Sequence, residues 1–439
     1  MTMPASAFMA GQISEAADIE RATAKHGPTE ALRAGMRPSP CISIEVFCEH
    51  SSTAEMAQAA CHDRRLAKVR MTVRMGGLTA AVAHYSARST PNLIVVESLL
   101  ARTNLLSQLE RLAETSDAKT KVIVIGHAND ARLYRELLQR GVSDYLVAPV
   151  SPLQLMSAIS DLFNNADAAP LGSIVAFIGA KGGIGSSTIC HNVAWTISEL
   201  FRTNVTIADF DLAFGTASLD FNQDPRQGIA DAIANPERLD GVLLDRLLTT
   251  CSERLSIFAA PGMLDRDYEI SPDACDTILD VVRQSMPFVA ADLPHVWAPW
   301  VKRILLHADE VVITAAPDLA NLRNAKNIID LLQQSRRSDG PPRLVINTAN
   351  APGRPEIGAA GFCDKVGLQA SAVIEFDSRT FGEAANSGQM IEELNRKARA
   401  VGQFKTLASL LTHRRLEGSS RKSPFSGFLG GLSFRGRGA

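Results

Sequence analysis

The sequence predicts two successive α/β domains: a flavodoxin-like unit, then a P-loop unit with a mostly parallel sheet covered by helices on both faces. Three observations predict this. Short apolar runs alternate with helix-like stretches from residue 41 to about residue 165. The alternation restarts at Ser173, after a stretch of linker composition from Asn164 to Gly172. A glycine-rich loop then lies between the first strand and the first helix of the second stretch, the context that makes such a loop meaningful.

Each element of the first domain has its own signal. The run from Cys41 to Phe47 is rich in β-formers. Leu93–Val96 and Val122–Ile125 are short continuous apolar runs, as expected of strands covered on both faces. Ala131 to Arg140 reads as a helix stopped by Gly141. Tyr145–Val147 is a short strand ended by Pro149, and Pro152 to Phe163 is a closing helix with proline in its first turn. The second domain reads as seven strands: Ile174–Ile178, Val205–Ala208, Leu255–Ala259, Phe288–Ala291, Val311–Ala315, Leu344–Asn347 and Ala372–Phe376, with a long final helix over about Glu392 to Arg414. The expected organisation is a flexible arm over 1–40, the first domain over 41–165, a linker over 166–172, the second domain over 173–416, and a disordered basic Gly/Phe tail over 417–439.

Composition narrows the function classes. The chain has 439 residues, too many for one compact domain. Lys plus Arg is 45 and Asp plus Glu is 47, so the net charge of −2 excludes whole-chain attraction to nucleic acid. No apolar stretch reaches the ~18 residues that a spanning helix needs. The N-terminus lacks the basic start and apolar run of a signal peptide. The seven cysteines (Cys41, Cys48, Cys61, Cys190, Cys251, Cys275 and Cys363) are scattered without a CxxC pair, which argues against a disulfide framework or a zinc knuckle.

The stretch from Ile178 to Thr188 carries the most chemistry. Gly179, Gly182, Gly183 and Gly185 let the backbone approach a phosphate closely. Loop amides around Ile184 and the helix start at Ser186, Ser187 and Thr188 supply donors to an anion. Lys181 precedes the glycines. Two further strands end in carboxylates, Asp209 and Asp211 after the first and Asp292 after the second, where α/β sheets bind ligands.

The loop resembles the deviant Walker A motif of the MinD/ParA ATPases. The resemblance implies ATP and Mg2+ as cofactors. It implies that Lys181 reaches across a dimer to the partner's nucleotide and that the Ser187 hydroxyl ligates Mg2+. It further implies that Asp209 supports Mg2+, that Asp211 orients the attacking water, and that Asp292 supports the ion partly through water. Asn347 matches the asparagine that holds the adenine, and Ile374 to Asp377, with Phe376 and Asp377, matches the loop that closes over the base. Phe381 to Ile391 matches the family's closing helix. Ser186 stands where the motif carries a second lysine. Serine donates a hydrogen bond but brings no charge, and charge-assisted bonds are about twice as strong as neutral ones. Weaker nucleotide affinity, slower hydrolysis, or both are expected.

The first domain resembles a response-regulator receiver that has lost its chemistry. Glu97 stands at the phosphoacceptor position in place of aspartate, Gly126 where the hydroxyl is expected, and Ala148 where the lysine is expected. The first strand is followed by a single acid, Glu49. The expectation is a docking module that does not accept phosphate.

A degenerate receiver joined to a MinD/ParA-like ATPase resembles the CpaE/TadZ proteins of tight-adherence (Flp) pilus systems, over about residues 41–415. The resemblance implies a cytoplasmic, polar organiser. Its partners would be a second copy of the chain, the pilus secretion ATPase and the inner-membrane platform, with peripheral membrane association open. Three alternatives remain: a partitioning ATPase on DNA, a MinD-type membrane regulator, and a scaffold with structural nucleotide. Sequence-specific nucleic-acid binding is not expected: Arg396, Lys397, Arg399, Lys405, Arg414 and Arg415 read as a solvated helix face. The tail holds too much glycine for an amphipathic membrane helix and lacks the tyrosines of a tyrosine kinase on this scaffold. His191 reads as a packing or surface group on the loop's helix, and Trp195, Trp297 and Trp300 as core or interface anchors.

Overall fold

The computed structural model describes residues 42–66, 69–117, 119–163, 171–264 and 268–416. The proposed arm, most of the linker and the Gly/Phe tail lie outside them. The described chain forms two compact units. One runs to Leu171 and takes in Asp330–Pro341; the other holds Gly172–Ile329 and the chain from Pro342 onward.

The first unit has five strands: β1 (Ser43–Cys48), β2 (Arg70–Met75), β3 (Leu93–Ser98), β4 (Lys121–Gly126) and β5 (Asp144–Val147). All pair in parallel, in the order β2-β1-β3-β4-β5. Its helices are α1 (Ser51–Cys61), α2 (Gly77–Tyr85), α3 (Arg102–Thr115), α4 (Ala131–Gln139) and α5 (Pro152–Phe163). Side chains alternate along a strand, so the central strand β3 feeds two cores. Leu93 and Val95 pack with Met56 and Ala57 of α1 and Leu155 and Ile159 of α5. Ile94 and Val96 pack with Leu78 of α2, Leu105 and Leu109 of α3 and Leu137 of α4. Each such aliphatic side chain, taken from water, stabilises the fold by about 1.5–3 kcal/mol. The order is that of a flavodoxin-like sheet, and its switch point falls between β1 and β3.

The second unit has eight strands: β6 (Ser173–Gly179), β7 (Val205–Asp209), β8 (Thr249–Thr250), β9 (Leu255–Phe258), β10 (Phe288–Asp292), β11 (Glu310–Ala315), β12 (Arg343–Ala349) and β13 (Ala370–Glu375). Their order is β13-β12-β11-β6-β10-β7-β9-β8, parallel except for the short edge strand β8. The helix α6 (Ser186–Phe201) follows β6 and packs Ile189, Val193 and Ile197 against Val175 and Phe177. The C-terminal helix Arg399–Thr412 adds Val401, Phe404, Leu407 and Leu411 to the same core.

Three elements depart from the sequence reading. The two-residue edge strand β8 is added to the seven expected strands and is too short to leave a pattern of its own. β2 carries no continuous apolar run because it is an edge strand, and Arg70 and Arg74 lie on it. The long final helix is broken: Ile391–Leu394 ends at Asn395, whose backbone is extended and whose side chain accepts from the Lys397 amide. Asparagine competes for its own neighbouring backbone in this way, and a new helix starts at Arg399. No helix among the described residues is long and apolar enough to cross a membrane.

Candidate functional site

β6 is central and ends at Gly179, so the loop that follows opens at the C-terminal edge of the parallel strands. Three side chains from elsewhere occupy the loop's carbonyls. His295 lies 3.0 Å from the Gly179 oxygen, Asn324 donates to Ala180 at 2.8 Å, and Asn347 donates to Ile184 at 2.7 Å. A planar trans peptide sets each amide opposite the preceding carbonyl. Tying the Ala180 and Ile184 oxygens back therefore turns the Lys181 and Gly185 amides the other way. Gly185 sits at φ +85°, and a Cβ there would meet the Asn347 amide nitrogen at 2.7 Å, so the turn requires glycine.

α6 starts immediately after this turn and has no side-chain cap, leaving the amides of its first turn without intrahelical partners. The Ser186 hydroxyl is buried and has no hydrogen-bond partner. A turn with outward amides, an uncapped helix start and an orphaned hydroxyl together fit a phosphate group. Ser187 and Thr188 are half-buried in that first turn. Lys181, Gly182 and Gly183 are exposed, and Lys181 forms no hydrogen bond or ion pair among the described residues.

The carboxylates meet beside the loop. Asp209 and Asp292 are directly opposite each other on the adjacent parallel strands β7 and β10, and both are buried. Asp209 accepts from the Asp211 and Ala217 amides at 3.1 and 3.2 Å. Neither oxygen of Asp292 has a hydrogen-bond partner. Burial, and then the Asp292 charge, push the Asp209 carboxyl up to about 7. Buried like charges side by side, one of them contacted only by the His191 ring nitrogen at 3.4 Å, are a donor set suited to a hard divalent cation such as Mg2+. Asp211 is half-buried, accepts from the Phe214 amide at 3.1 Å, and is pushed upward by burial.

Asn347 and the pair Phe376 and Asp377 lie at the ends of neighbouring strands, joined by the Phe376 amide donating to Ala349 at 2.8 Å. Phe376 is exposed, Asp377 caps the helix Ser378–Ser387 through the Thr380 amide, and the Asn347 amide is held by the phosphate loop.

Sequence reasoning missed three residues. His191 is fully buried and ion-paired, which corrects its reading as a packing or surface group: its ring nitrogens lie 2.7 Å from Asp220 and 3.4 Å from Asp292. Its place four residues after Ser187, on the same face of α6, was the available signal. His295 and Asn324 come from the segments after β10 and β11, and nothing local marks them as supports of the loop.

In the first unit, Glu97 at the end of β3 is buried and fully hydrogen-bonded. One oxygen accepts from the Glu49 and His50 amides at 2.7 and 3.0 Å. The other meets Thr53 at 2.9 Å, His50 Nδ1 at 2.8 Å and His127 Nε2 at 3.2 Å. Burial alone would raise this carboxyl, but the bonds from His50, Thr53 and Glu49 bring it down to about 2. The space beside Gly126 is filled by the Tyr145 ring, whose hydroxyl donates to Ala128 at 2.8 Å.

Fold and site together define the α/β P-loop nucleotide-site class, with its loop on a central parallel strand and buried carboxylates on neighbouring strands. Solved structures similar to the chain are CpaE pilus assembly proteins together with ParA and MinD ATPases. A pilus assembly protein CpaE of Caulobacter crescentus is 43% identical, covering 29% of this chain and 98% of that one, with a TM-score of 0.29. A ParA family ATPase of Chlorobium tepidum is 24% identical over 54% of this chain and 98% of that one, with a TM-score of 0.50. Among curated proteins, the septum site-determining protein MinD of Bacillus subtilis is 22% identical over 180 residues, 40% of this chain. That match spans 65% of the relative's own length. No protein-family model matches the chain.

Proposed function

We propose that this chain is an ATP-binding organiser of Flp-type pilus assembly that dimerises when it holds Mg-ATP and hydrolyses it slowly or not at all. The observation that carries the reading is Lys181: an exposed cation with no hydrogen bond or ion pair among the described residues, at the head of a loop whose Gly179, Ala180 and Ile184 carbonyls are occupied. In a face-to-face dimer that cation has a destination, the phosphates held by the partner.

The surroundings of Lys181 support the same geometry. In this unit, exposed large apolar residues follow the C-terminal ends of the strands, on the loop's side of the sheet. They include Phe214 after β7, Leu264 after β9, Trp297 after β10 and Leu319 after β11, exposed by 70%, 71%, 59% and 73%. An apolar rim around a polar centre is the composition of a surface meant to be covered.

Bound Mg2+ would supply charge neutralisation at the terminal phosphates. Ser187, Asp209 and Asp292 are the residues placed to hold it, and Asp211 is the half-buried base beside them. Ser186 brings a hydroxyl where a cation would stabilise the phosphates, which supports weak turnover. The pilus assignment rests on the tandem order of a receiver-like unit without its acceptor aspartate and a phosphate-loop unit. The basic residues of the final helix do not form a free stripe for nucleic acid: Lys405 pairs with Glu392 at 2.7 Å, Arg399 pairs with Glu375, and Arg414 donates to Thr203 at 2.8 Å.

Light scattering on purified protein with and without Mg-ATP tests the reading. The parent is expected to become a dimer with Mg-ATP, and Lys181→Ala to remain a monomer. Equal dimerisation of both proteins would refute the coupling.

A further inference from the structure

The most distinctive polar cluster outside the phosphate-loop site is in the first unit. His50 follows β1, Glu97 ends β3, and His127 follows β4. One ligand-capable atom from each lies within 4.8 Å of the others. The cluster sits at the C-terminal edge of the parallel sheet: His50 and Glu97 come from the two strands that flank the switch point between β1 and β3, where an open α/β sheet leaves its crevice, and His127 from the next strand, β4. We propose that His50, Glu97 and His127 form a binding site for a late first-row transition ion, with Zn2+ as the expected occupant.

The donor set chooses the ion. Two imidazoles and one carboxylate are nitrogen-rich, and zinc takes that combination with a fourth position open to water. Mg2+ prefers oxygen ligands and gives up its water reluctantly, so this site is poor for it. Bonds of about 2.0–2.1 Å from a tetrahedral zinc place its ligand atoms roughly 3.3 Å apart. The Glu97 oxygen lies 2.8 Å and 3.2 Å from the two imidazoles and no two of the three ligand atoms are more than 4.8 Å apart, so a small expansion about Glu97 and an inward turn of the part-exposed imidazoles reach that spacing.

The support around the ligands is also in place. The Glu49 and His50 amides hold the second oxygen of Glu97, and Thr53 donates to the first, so the carboxylate is aimed at the histidines before any ion arrives. Glu97 is buried, whereas the side chains of His50 and His127 are 46% and 40% exposed, which leaves an entry path. The rings meet edge-to-face with centroids 5.3 Å apart, so they already face one centre. On binding, each ring nitrogen that now contacts Glu97 gives its lone pair to the ion. Its proton moves to the other ring nitrogen or is released to solvent. The tetrahedron is completed by one water.

The test uses the full chain without a histidine tag, stripped of metal and titrated with Zn2+ against a chromophoric chelator. One tight Zn2+ per chain is expected, retained in a large excess of Mg2+. His127→Gln keeps a hydrogen-bond donor toward Glu97 while removing the ligand nitrogen, and should weaken that site by roughly tenfold or more. His50→Ala should do the same. Co2+ in place of Zn2+ should give a visible ligand-field spectrum without thiolate charge-transfer bands, which separates this site from the cysteines. Unchanged affinity in both variants, displacement by Mg2+, or a thiolate spectrum would each overturn the proposal.

Discussion

His191 Nε2 lies 3.4 Å from a carboxylate oxygen of Asp292, and both residues are buried. The other ring nitrogen is 2.7 Å from Asp220. One imidazole on the loop's own helix therefore ties the β10 carboxylate to the short helix Ala217–Asp220. Burial alone would lower the pKa of this histidine, but bonds and charges from Asp220 and Asp292 raise it to about 10. A positive charge thus stands behind the site, in a chain whose Ser186 brings none to its front.

This pairing makes stability depend on His191. His191→Ala would leave the buried Asp292 carboxylate without its ion-pair partner and remove the bond to the half-buried Asp220; breaking a buried pair costs roughly 3–5 kcal/mol. The pH dependence has a definite sign. The folded pKa is raised above the ordinary value of 6.5, so the contribution is complete below 6.5 and declines as pH rises through about 10. Urea unfolding across that range should show the parent losing stability with rising pH. The variant should be weaker at the low end and flatter across the range.

Ser186 gives the second prediction. Its buried hydroxyl has no partner, so the side chain is held beside the anion site without contributing charge. Ser186→Lys should tighten ATP binding by about tenfold, since bonds to charged groups are worth about 1.5–3 kcal/mol. Calorimetric titration with ATP reads this directly. Equal affinities would show that the native site is not limited by the missing cation.

The fold was legible where local pattern and global packing agree. β3 and β6 are buried almost throughout, and each reads as an apolar run with no other explanation. β2 was not legible, because an edge strand needs no apolar run and carries arginines instead. The loop between β6 and α6 was legible as a strand-to-helix turn because its glycine, lysine and hydroxyl residues are contiguous. Its supports were not: Asn324 and His295 reach the loop from 144 and 116 residues away, and only the order of the strands brings them there. His191 is the instructive intermediate, since its helical face could be counted from Ser187 but its partner Asp220 could not.

Trp297 gives the third prediction. It lies five residues after Asp292, the last residue of β10, and is 59% exposed at the sheet edge that carries the loop. In the proposed dimer Trp297 belongs to the apolar rim that the partner covers, and a charge there removes an aromatic anchor, a loss of about 2 kcal/mol or more. Trp297→Glu should therefore raise the concentration needed for Mg-ATP-dependent dimerisation by more than tenfold. ATP affinity, measured in dilute protein where the parent is a monomer, should be unchanged. Analytical ultracentrifugation with and without Mg-ATP separates the two effects.

Gly126 and Tyr145 decide whether a hydroxyl residue can stand at the end of β4. A Cβ built on Gly126 would lie 2.2 Å from the Tyr145 hydroxyl oxygen and 2.5 Å from the ring. A hydroxyl residue at this strand end has no room while that ring is present. Gly126→Ser should cost about 1–3 kcal/mol by overpacking, read as a lower denaturation midpoint. Tyr145→Ala is itself destabilising because it opens a core cavity, but in that background Gly126→Ser should cost less than it does in the parent, which a double-mutant cycle reads. Glu97→Asp alone should not create a phosphoacceptor: the shorter side chain draws the carboxylate back from the Glu49 and His50 amides that position it, and Gly126 still offers no hydroxyl. Incubation with acetyl phosphate should leave both the parent and Glu97→Asp unmodified by intact mass, and stable phosphate on either protein would contradict the assignment of this unit as a docking module.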